Sequence, residues 1–221
     1  LPPTRSGPES ICVCVCVVDK YCMNNEHKQH YIDKWKKDKH ITVKHNQFEW
    51  LDSYLDKPPR TLLDIGCGHA HIARFFQEKY GTELYLLDGD VSTTLDRSRT
   101  ARFGSVDDFS FYSTVNELKT VWDSWGMNYH FVDANDPCIP SDVRFDLITS
   151  WVSCGFHYPY DTYHDLIVRH TDPGSVVIMD FRRKSIPKQM GNFDIVEVLR
   201  GDASSKKNTL RIQPHRNPKL L

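Results

Sequence analysis

A short stretch with two glycines, residues 61–72, constrains this chain more than any other. An apolar run ends at Ile65, glycines follow at Gly66 and Gly68, and apolar residues then recur at helical spacing from Ile72. The pattern predicts a β-strand, a glycine turn and a helix. Glycine has no Cβ, so its backbone can lie against a ligand, and the start of the helix presents unpaired N–H groups. We therefore expect a nucleotide-like ligand at this turn.

The residues around the turn distinguish two classes of nucleotide-like ligand. A dinucleotide-binding turn requires a third glycine, and this chain has His71 at that position. Asp64, just before the turn, would repel a pyrophosphate, but its carboxylate suits a cationic amino-acid group. S-adenosylmethionine has such a group and no phosphate. The turn therefore favours S-adenosylmethionine over NAD, and a glycine turn without any ligand is the alternative.

The stretch Asp64-Ile65-Gly66-Cys67-Gly68 resembles the first motif of class I S-adenosylmethionine-dependent methyltransferases. The resemblance implies S-adenosylmethionine as the cofactor, with Asp64, Gly66, Cys67 and Gly68 among its binding residues. Together with the alternation of strand and helix patterns along the chain, it predicts an α/β fold. The expected architecture is a doubly wound, mostly parallel Rossmann-like sheet with helices on both faces and a C-terminal antiparallel strand pair.

Three more positions, each at the end of a predicted strand, are cofactor-binding candidates. By the same resemblance, Asp88 would accept hydrogen bonds from both ribose hydroxyls, with Asp90 in reserve, and an ordinary Asp-Gly turn is the alternative. Asp133 would accept a hydrogen bond from the adenine amino group, unless it only caps its loop. Ser150, at the end of the fourth predicted strand, is the last of the predicted cofactor-binding residues.

The loop at 151–160 is expected to border the same crevice, because open parallel sheets bind ligands beyond the carboxyl ends of their strands. It contains aromatic residues, Gly155 and His157, and histidine titrates near neutrality. An oxygen acceptor must lose a proton during methyl transfer, so His157 is the candidate general base, although a lone histidine is more often structural. The loop also resembles, more loosely, a stretch of sugar O-methyltransferases from phage and surface-polysaccharide gene clusters. A small molecule or sugar is therefore the expected acceptor.

Two other functions stay open at the level of sequence. One is methylation of RNA or protein, helped by basic residues near Arg97 and Arg182. The other is a domain that binds the cofactor without catalysis. The chain lacks the Asn/Asp-Pro-Pro-Tyr stretch of base-amino methyltransferases and shows no carboxylate trio for a catechol-type metal site. Amino-group transfer to nucleic acid is therefore disfavoured, and no metal is expected.

Composition sets the remaining expectations. The chain has 221 residues, 39% of them hydrophobic, and a formal net charge of -1, which predicts one domain without a global attraction for nucleic acid. No apolar run reaches the roughly 18 residues of a membrane-spanning helix. We expect a cytoplasmic protein that does not bind membranes. Cys67, Cys138 and Cys154 are expected to be small buried thiols in a reducing compartment.

The chain is expected to have four segments: a disordered leader at 1–22 before a start at Met23, a helical cap at 23–60, the methyltransferase domain at 61–215 and a tail at 216–221. The cap is predicted to contain helices at 24–39 and 47–55. In the domain we predict helices at 70–80, 113–125 and 161–170, and strands at 62–65, 83–87, 129–132, 145–150, 176–180, 193–199 and 210–212.

Overall fold

Seven strands form one sheet in the described part of the chain, and helices cover it. The computed structural model describes residues 29–30, 32–33, 36–90, 113–157, 159–183, 186–187, 190–201, 205 and 207–214. The helices are α1 (Asp38–Asp52), α2 (His71–Tyr80), α3 (Val115–Ser124) and α4 (His164–Arg169), and a 3₁₀ turn spans Tyr160–Thr162. The strands are β1 (Thr61–Ile65), β2 (Glu83–Asp88), β3 (Tyr129–Asp133), β4 (Leu147–Ser150), β5 (Val176–Arg182), β6 (Phe193–Arg200) and β7 (Lys207–Pro214).

The strand order across the sheet is β3-β2-β1-β4-β5-β7-β6. The five strands from β3 to β5 are parallel, and β7 runs antiparallel to both β5 and β6. This confirms the predicted doubly wound, mostly parallel sheet with a C-terminal antiparallel pair. The direction of strand order reverses between β1 and β4, so the crevice at their carboxyl ends is the place where such sheets bind ligands.

Apolar residues cover both faces of the sheet, as expected for buried parallel strands. In β1, Leu62 packs into a cluster with residues of α1, α2 and α3 on one face. Its neighbour Leu63 packs into a second cluster with residues of α4 and the antiparallel pair on the other face. Because successive side chains of a strand point to opposite faces, each strand anchors both layers. The predicted helices on both faces are confirmed.

Local signals set the ends of two helices. α3 begins with a capping box, in which the Thr114 hydroxyl accepts a hydrogen bond from the Glu117 N–H at 3.1 Å and the Glu117 carboxylate accepts one from the Thr114 N–H at 2.7 Å. α2 ends at Tyr80 and is capped by Gly81, whose φ of +68° lies in the left-handed region that favours glycine.

α1 differs from the prediction of a helix at 47–55, because it begins at Asp38 and ends at Asp52. Its first half is polar, so the apolar signal appears only from Phe48 onward. Phe48 anchors the helix, since its ring lies 4.8 Å from that of Phe76 in α2 at nearly a right angle. Much of the other predicted helix, at 24–39, lies outside the described residues.

Several strand boundaries also differ from the prediction. β4 begins at Leu147 rather than at 145, although Phe145 is buried and its N–H donates to the carbonyl of His170 at 2.9 Å. The antiparallel strands are longer than predicted, because β7 pairs with β5 over Lys207 to Ile212 and with β6 as far as Pro214. The leader, the tail and residues 91–112 lie outside the described residues, and the predicted segment boundaries stay predictions.

The cysteines only partly match the expectation of small buried thiols. Cys154 is a buried free thiol, and Cys67 is a half-buried one. Cys138 is exposed in the loop after β3 and is disulfide-bonded, so the expectation is wrong for this residue. The reducing compartment stays a prediction.

The described residues include neither a membrane-spanning helix nor a metal-binding cluster of side chains. No described helix combines the length and apolar character that crossing a bilayer requires. Among the same described residues, no group of three or more histidine, cysteine, aspartate or glutamate side chains is placed to hold a metal ion.

The packing of α1 can be tested with Phe48→Ala. Phe48 is only 3% exposed, so the change should lower the free energy of unfolding by about 3–5 kcal/mol, measured by urea denaturation. Val43→Ala on the same helix is the control, because Val43 is 59% exposed and should change stability by no more than about 0.5 kcal/mol. Equal denaturation midpoints for the two variants would show that α1 does not stabilise the domain.

Candidate functional site

The turn between β1 and α2 depends on its two glycines. Gly66 and Gly68 have φ angles of +67° and +51°, which side chains rarely adopt. A Cβ on Gly66 would overlap the side chain of Ser153, which packs against it from the loop after β4. At Gly68, no described atom lies within 4 Å of the corresponding position. The backbone at Gly68 is therefore open to a ligand.

Asp88, at the end of β2, holds this turn in place. One of its carboxylate oxygens accepts a hydrogen bond from the Gly68 N–H at 2.6 Å, and the other accepts one from the Gly89 N–H at 2.8 Å. Burial raises the pKa of Asp88 to about 6, against the opposing effect of these two hydrogen bonds. A carboxylate has about four acceptor positions, so Asp88 keeps acceptor capacity for a ligand while it fixes the turn.

The other predicted cofactor residues have protein partners of their own. Asp133 lies beside Asp88 in the register of β2 and β3, is exposed, and accepts a hydrogen bond from the Asn135 N–H at 2.9 Å. Asp90 accepts one from the N–H of Val115, the first residue of α3, at 3.0 Å. Their roles toward a cofactor stay predictions.

Ser150 is fully buried at the end of β4. The Ser150 hydroxyl accepts a hydrogen bond from the Cys154 N–H at 2.9 Å. The same hydroxyl lies 3.4 Å from the carbonyl oxygen of Cys154. This arrangement shows Ser150 shaping the start of the loop after β4. Its predicted contact with a cofactor stays a prediction.

A cavity of about 280 Å³ lies beside the glycine turn. Its lining comes from α1, the end of β1, the turn with the start of α2, and the loop after β4: His40, Lys44, Asp64, residues 66–72 and Trp151. The structure thus brings together Asp64, Gly66, Cys67 and Gly68, as their local motif implies. Asp88, Asp133, Ser150 and His157 are not part of this lining.

Asp64 is the buried carboxylate of the cavity. It is 2% exposed, and its Oδ1 accepts a hydrogen bond from the Thr149 hydroxyl of β4 at 2.7 Å. Burial raises its pKa to about 7, although the Thr149 hydrogen bond and the charge of Lys44 act in the opposite direction. A cationic ligand group would stabilise the ionised form of Asp64.

Lys44 and His40 enter the cavity from α1 and were missed by the sequence analysis. Lys44 is half-buried, and its burial lowers its pKa, while the charge of Asp64 raises it. No contact of 4.0 Å or less joins Lys44 and Asp64 among the ion pairs of the described residues. The available signal was the i, i+4 spacing of His40 and Lys44, which places them on one face of a helix.

Two nitrogen atoms at the cavity are buried without a hydrogen-bond partner in the described structure: Nδ1 of His71 and Nε1 of Trp151. His71 is 6% exposed, and its ring packs 4.7 Å from that of Trp125. Burial lowers the pKa of His71 to about 4, so its imidazole is neutral near pH 7. The described residues contain five such nitrogen atoms, and these are the two whose side chains line the cavity.

The loop after β4 has a strained backbone that buried Asp180 holds in place. Val152 has a φ of +51°, a conformation that is unfavourable for a β-branched residue. Its N–H donates to Asp180 at 3.1 Å. Asp180 also accepts hydrogen bonds from Lys207 at 2.9 Å and from Thr209 at 2.7 Å, both on β7. This network fixes the position of Trp151 at the cavity.

His157 lies further along the same loop. Its N–H donates to the carbonyl of Ser153 at 2.6 Å, and its ring lies 5.1 Å from that of Phe156. Burial, and then the charge of Arg182, lower the pKa of His157. The guanidinium of Arg182 lies 4.7 Å from the centre of the Phe156 ring, so Arg182 is part of this loop packing. His157 is thus neutral near pH 7, the form that a general base requires.

Several solved structures share the fold of this chain. The PH0226 protein from Pyrococcus horikoshii OT3 has a TM-score of 0.54 and 15% identity, over 81% of this chain and 92% of that one. Residues 961–1257 of StiE O-MT give a TM-score of 0.52 and 10% identity, over 85% and 81% of the two chains. MtNAS in complex with MTA and tNA has a TM-score of 0.51 and 10% identity, over 86% of this chain and 69% of that one.

No protein-family model matches the sequence, and no curated protein does so at a significant level. The structural similarity at these low identities establishes the fold alone, and it agrees with the predicted doubly wound, mostly parallel Rossmann-like sheet.

The raised pKa of Asp64 predicts a pH dependence of stability. Between its ordinary value of 3.8 and about 7, the folded protein holds a proton that the unfolded chain releases. This contribution to stability is therefore complete below pH 3.8 and is lost as the pH rises to about 7. Asp64→Asn should remove it, so the unfolding free energy of the wild type relative to the variant should fall between pH 5 and 7, by up to about 1.4 kcal/mol per pH unit.

Urea denaturation at several pH values measures this difference. Asp142→Asn serves as the control, because Asp142 is exposed in the loop leading into β4. The difference in unfolding free energy between this variant and the wild type should stay constant from pH 5 to 7. A constant difference for Asp64→Asn as well would mean that Asp64 is ionised throughout.

Proposed function

We propose that this protein is an S-adenosylmethionine-dependent methyltransferase. The observation that carries the proposal is the linked arrangement at the switch point of the sheet. The open backbone of Gly68 is hydrogen-bonded to Asp88 on one side, and the cavity containing Asp64 adjoins the same turn. This arrangement offers a carboxylate for a cationic amino-acid group and a second carboxylate for ribose hydroxyls, in the order in which S-adenosylmethionine carries these groups.

The residues fit the cofactor in three respects. Gly68 leaves space for close approach of the ligand, and Asp64 presents a buried carboxylate to the cavity. Asp88 and Asp133 lie side by side at the ends of β2 and β3, where the ribose and the adenine would follow one another. The absence of a third glycine, with His71 in its place, fits poorly with a dinucleotide.

The bound cofactor supplies a methyl group on a positively charged sulfur. The protein's task is then to hold the acceptor in line with that group and to keep water away. The aromatic loop after β4 is suited to the second task, because the Phe156 ring packs against His157 and the buried Tyr160 ring packs against Phe181. His157, neutral near pH 7, is the proposed base for an oxygen acceptor.

We propose a small molecule or sugar as the acceptor and the cytoplasm as the location. Among the described residues, no observation favours RNA or protein instead, because Arg182 packs on Phe156. Arg97, the other basic residue considered, lies outside the described residues.

The cofactor assignment can be tested by calorimetric titration with S-adenosylhomocysteine. We expect the wild type to bind it, and Asp88→Asn to weaken binding at least tenfold, about 1.4 kcal/mol, because one acceptor for the ribose and the turn is lost. Asp142→Asn removes a carboxylate from an exposed position and should bind as the wild type does. A folded wild type that does not bind S-adenosylhomocysteine would refute the proposed function.

The role of His157 can be separated from cofactor binding with His157→Ala. Its ring is outside the cavity lining, so the variant should keep the wild-type affinity for S-adenosylhomocysteine and lose most methyl transfer in an assay with radiolabelled cofactor and candidate acceptors. His164→Ala offers a matched control, since His164 lies on α4 and contacts Tyr160 with its ring. Undiminished transfer by His157→Ala would refute its role as the base and leave the cofactor assignment intact.

A further inference from the structure

Arg182, the last residue of β5, is a cation without an anionic partner among the described residues. It is half-buried, and its Nε is a buried nitrogen with no hydrogen-bond partner in that part of the chain. None of the ion pairs of 4.0 Å or less between described residues includes Arg182. A guanidinium keeps its charge at physiological pH, so it cannot become neutral when it is buried. An anionic ligand group would satisfy both the charge and the unpaired donor.

The carboxylate on the same face of β5 is already engaged. Asp180 lies two residues before Arg182, so both side chains point to one face of the sheet. Lys207 is opposite Arg182 in the register of β5 and β7, and its ammonium pairs with Asp180 at 2.9 Å. Asp180 also accepts hydrogen bonds from the Thr209 hydroxyl and the Val152 N–H. Of the two neighbouring cations, Lys207 thus has a carboxylate partner and Arg182 has none among the described residues.

The Phe156 ring connects Arg182 with the candidate base His157. The guanidinium carbon of Arg182 lies 4.7 Å from the centre of the Phe156 ring, and the His157 ring lies 5.1 Å from the same ring. The backbone N–H of Arg182 donates to the carbonyl of Gly155 at 3.2 Å, which ties β5 to this loop. A guanidinium that packs against an aromatic ring can still bind a carboxylate or phosphate through two parallel N–H bonds. Arg182 therefore offers an anion-binding group beside His157.

We infer that the methyl acceptor carries an anionic group, a carboxylate or a phosphate, which Arg182 binds while the acceptor hydroxyl lies at His157. The inference rests on the proposed function and narrows its substrate class from small molecules or sugars to anionic ones. One unpaired guanidinium suits one anionic group, and a net charge of -1 provides no general attraction for a polyanion. A small anionic acceptor is therefore favoured over RNA. In this role Arg182 determines specificity.

The test measures anion binding beside His157 by NMR on the full chain. Acetate represents a carboxylate, and sulfate represents a phosphate group without titrating near neutrality. Each is added at constant ionic strength, with chloride as the reference anion, and the His157 ring signal is identified by its loss in His157→Ala. The charge of Arg182 lowers the pKa of His157. Because a bound anion offsets that charge, acetate or sulfate should raise the pKa of His157 above its value in chloride.

Arg182→Met removes the charge and keeps a long side chain against Phe156. In this variant the pKa of His157 should be raised without any added anion and should no longer respond to one. The dissociation constant for the bound anion should increase at least about tenfold, because a charge-assisted hydrogen-bond partner is lost. Arg169→Met is the matched control, since Arg169 is exposed on α4 and should leave the response as in the wild type.

A second variant covers the case in which Arg182→Met does not fold. Arg182→Gln is also neutral but stays polar at this half-buried position, and it should lose the anion response in the same way. Circular dichroism and thermal melting establish that each variant is folded.

The probes distinguish the sources of the anionic group. Tighter binding of sulfate, dependent on Arg182, supports a phosphate-bearing acceptor, and tighter binding of acetate supports a carboxylate. A short oligouridylate that binds more tightly than both anions, again dependent on Arg182, would overturn the small acceptor in favour of RNA.

The remaining outcomes separate failure of the inference from failure of the proposed function. No response beyond that to chloride, or an equal response in folded Arg182→Met, overturns the inference. Neither result affects the Asp88-dependent binding of S-adenosylhomocysteine on which the proposed function depends. A folded wild type that does not bind S-adenosylhomocysteine, but responds to anions through Arg182, overturns the methyl acceptor and leaves only the anion site.

Discussion

The hydrogen bond from the Gly68 N–H to the Asp88 carboxylate joins the glycine turn to the neighbouring strand. The Trp122 side chain of α3 donates to the carbonyl of Gly68 at 3.2 Å, so both polar groups of this glycine are engaged. The turn is thus fixed by β2 and by α3 before any ligand arrives. A loop that is already ordered loses little conformational entropy on binding.

The parallel sheet determines which residues can meet at this turn. Asp64 in β1 and Thr149 in β4 are far apart in sequence but adjacent in register, which allows their 2.7 Å hydrogen bond. Asp88 and Asp133 are adjacent in the same way. All these strands end at one edge of the sheet, so the carboxylates of Asp88 and Asp133 lie side by side, and Asp64 lies two residues further back, level with Leu86 of β2. α1 adds the opposing charge of Lys44 across the cavity.

The fold could be predicted because its signals are local. Apolar strands, helical spacing and the glycine turn each occupy a few neighbouring residues, and together they define the order of elements. The proximity of Asp64 and Gly68 followed from the same local motif. The loop that begins with Trp151 was expected at the same crevice, and Trp151 does line the cavity. Lys44 could not be assigned to the cavity, because its position depends on how α1 packs against the rest of the domain. The early start of α1 was missed since its first half lacks apolar periodicity.

The path of the loop after β4 depends on residues near the C-terminal end of the sheet. Val152 keeps its unfavourable backbone because Asp180 accepts its N–H, and Asp180 is held by Lys207 and Thr209 of β7. The antiparallel pair therefore does more than protect the edge of β5. Since translation proceeds from the N-terminus, this loop is synthesised before Lys207 and Thr209, which complete the support of Asp180. The cavity wall at Trp151 is accordingly among the last parts of the domain to be completed during synthesis.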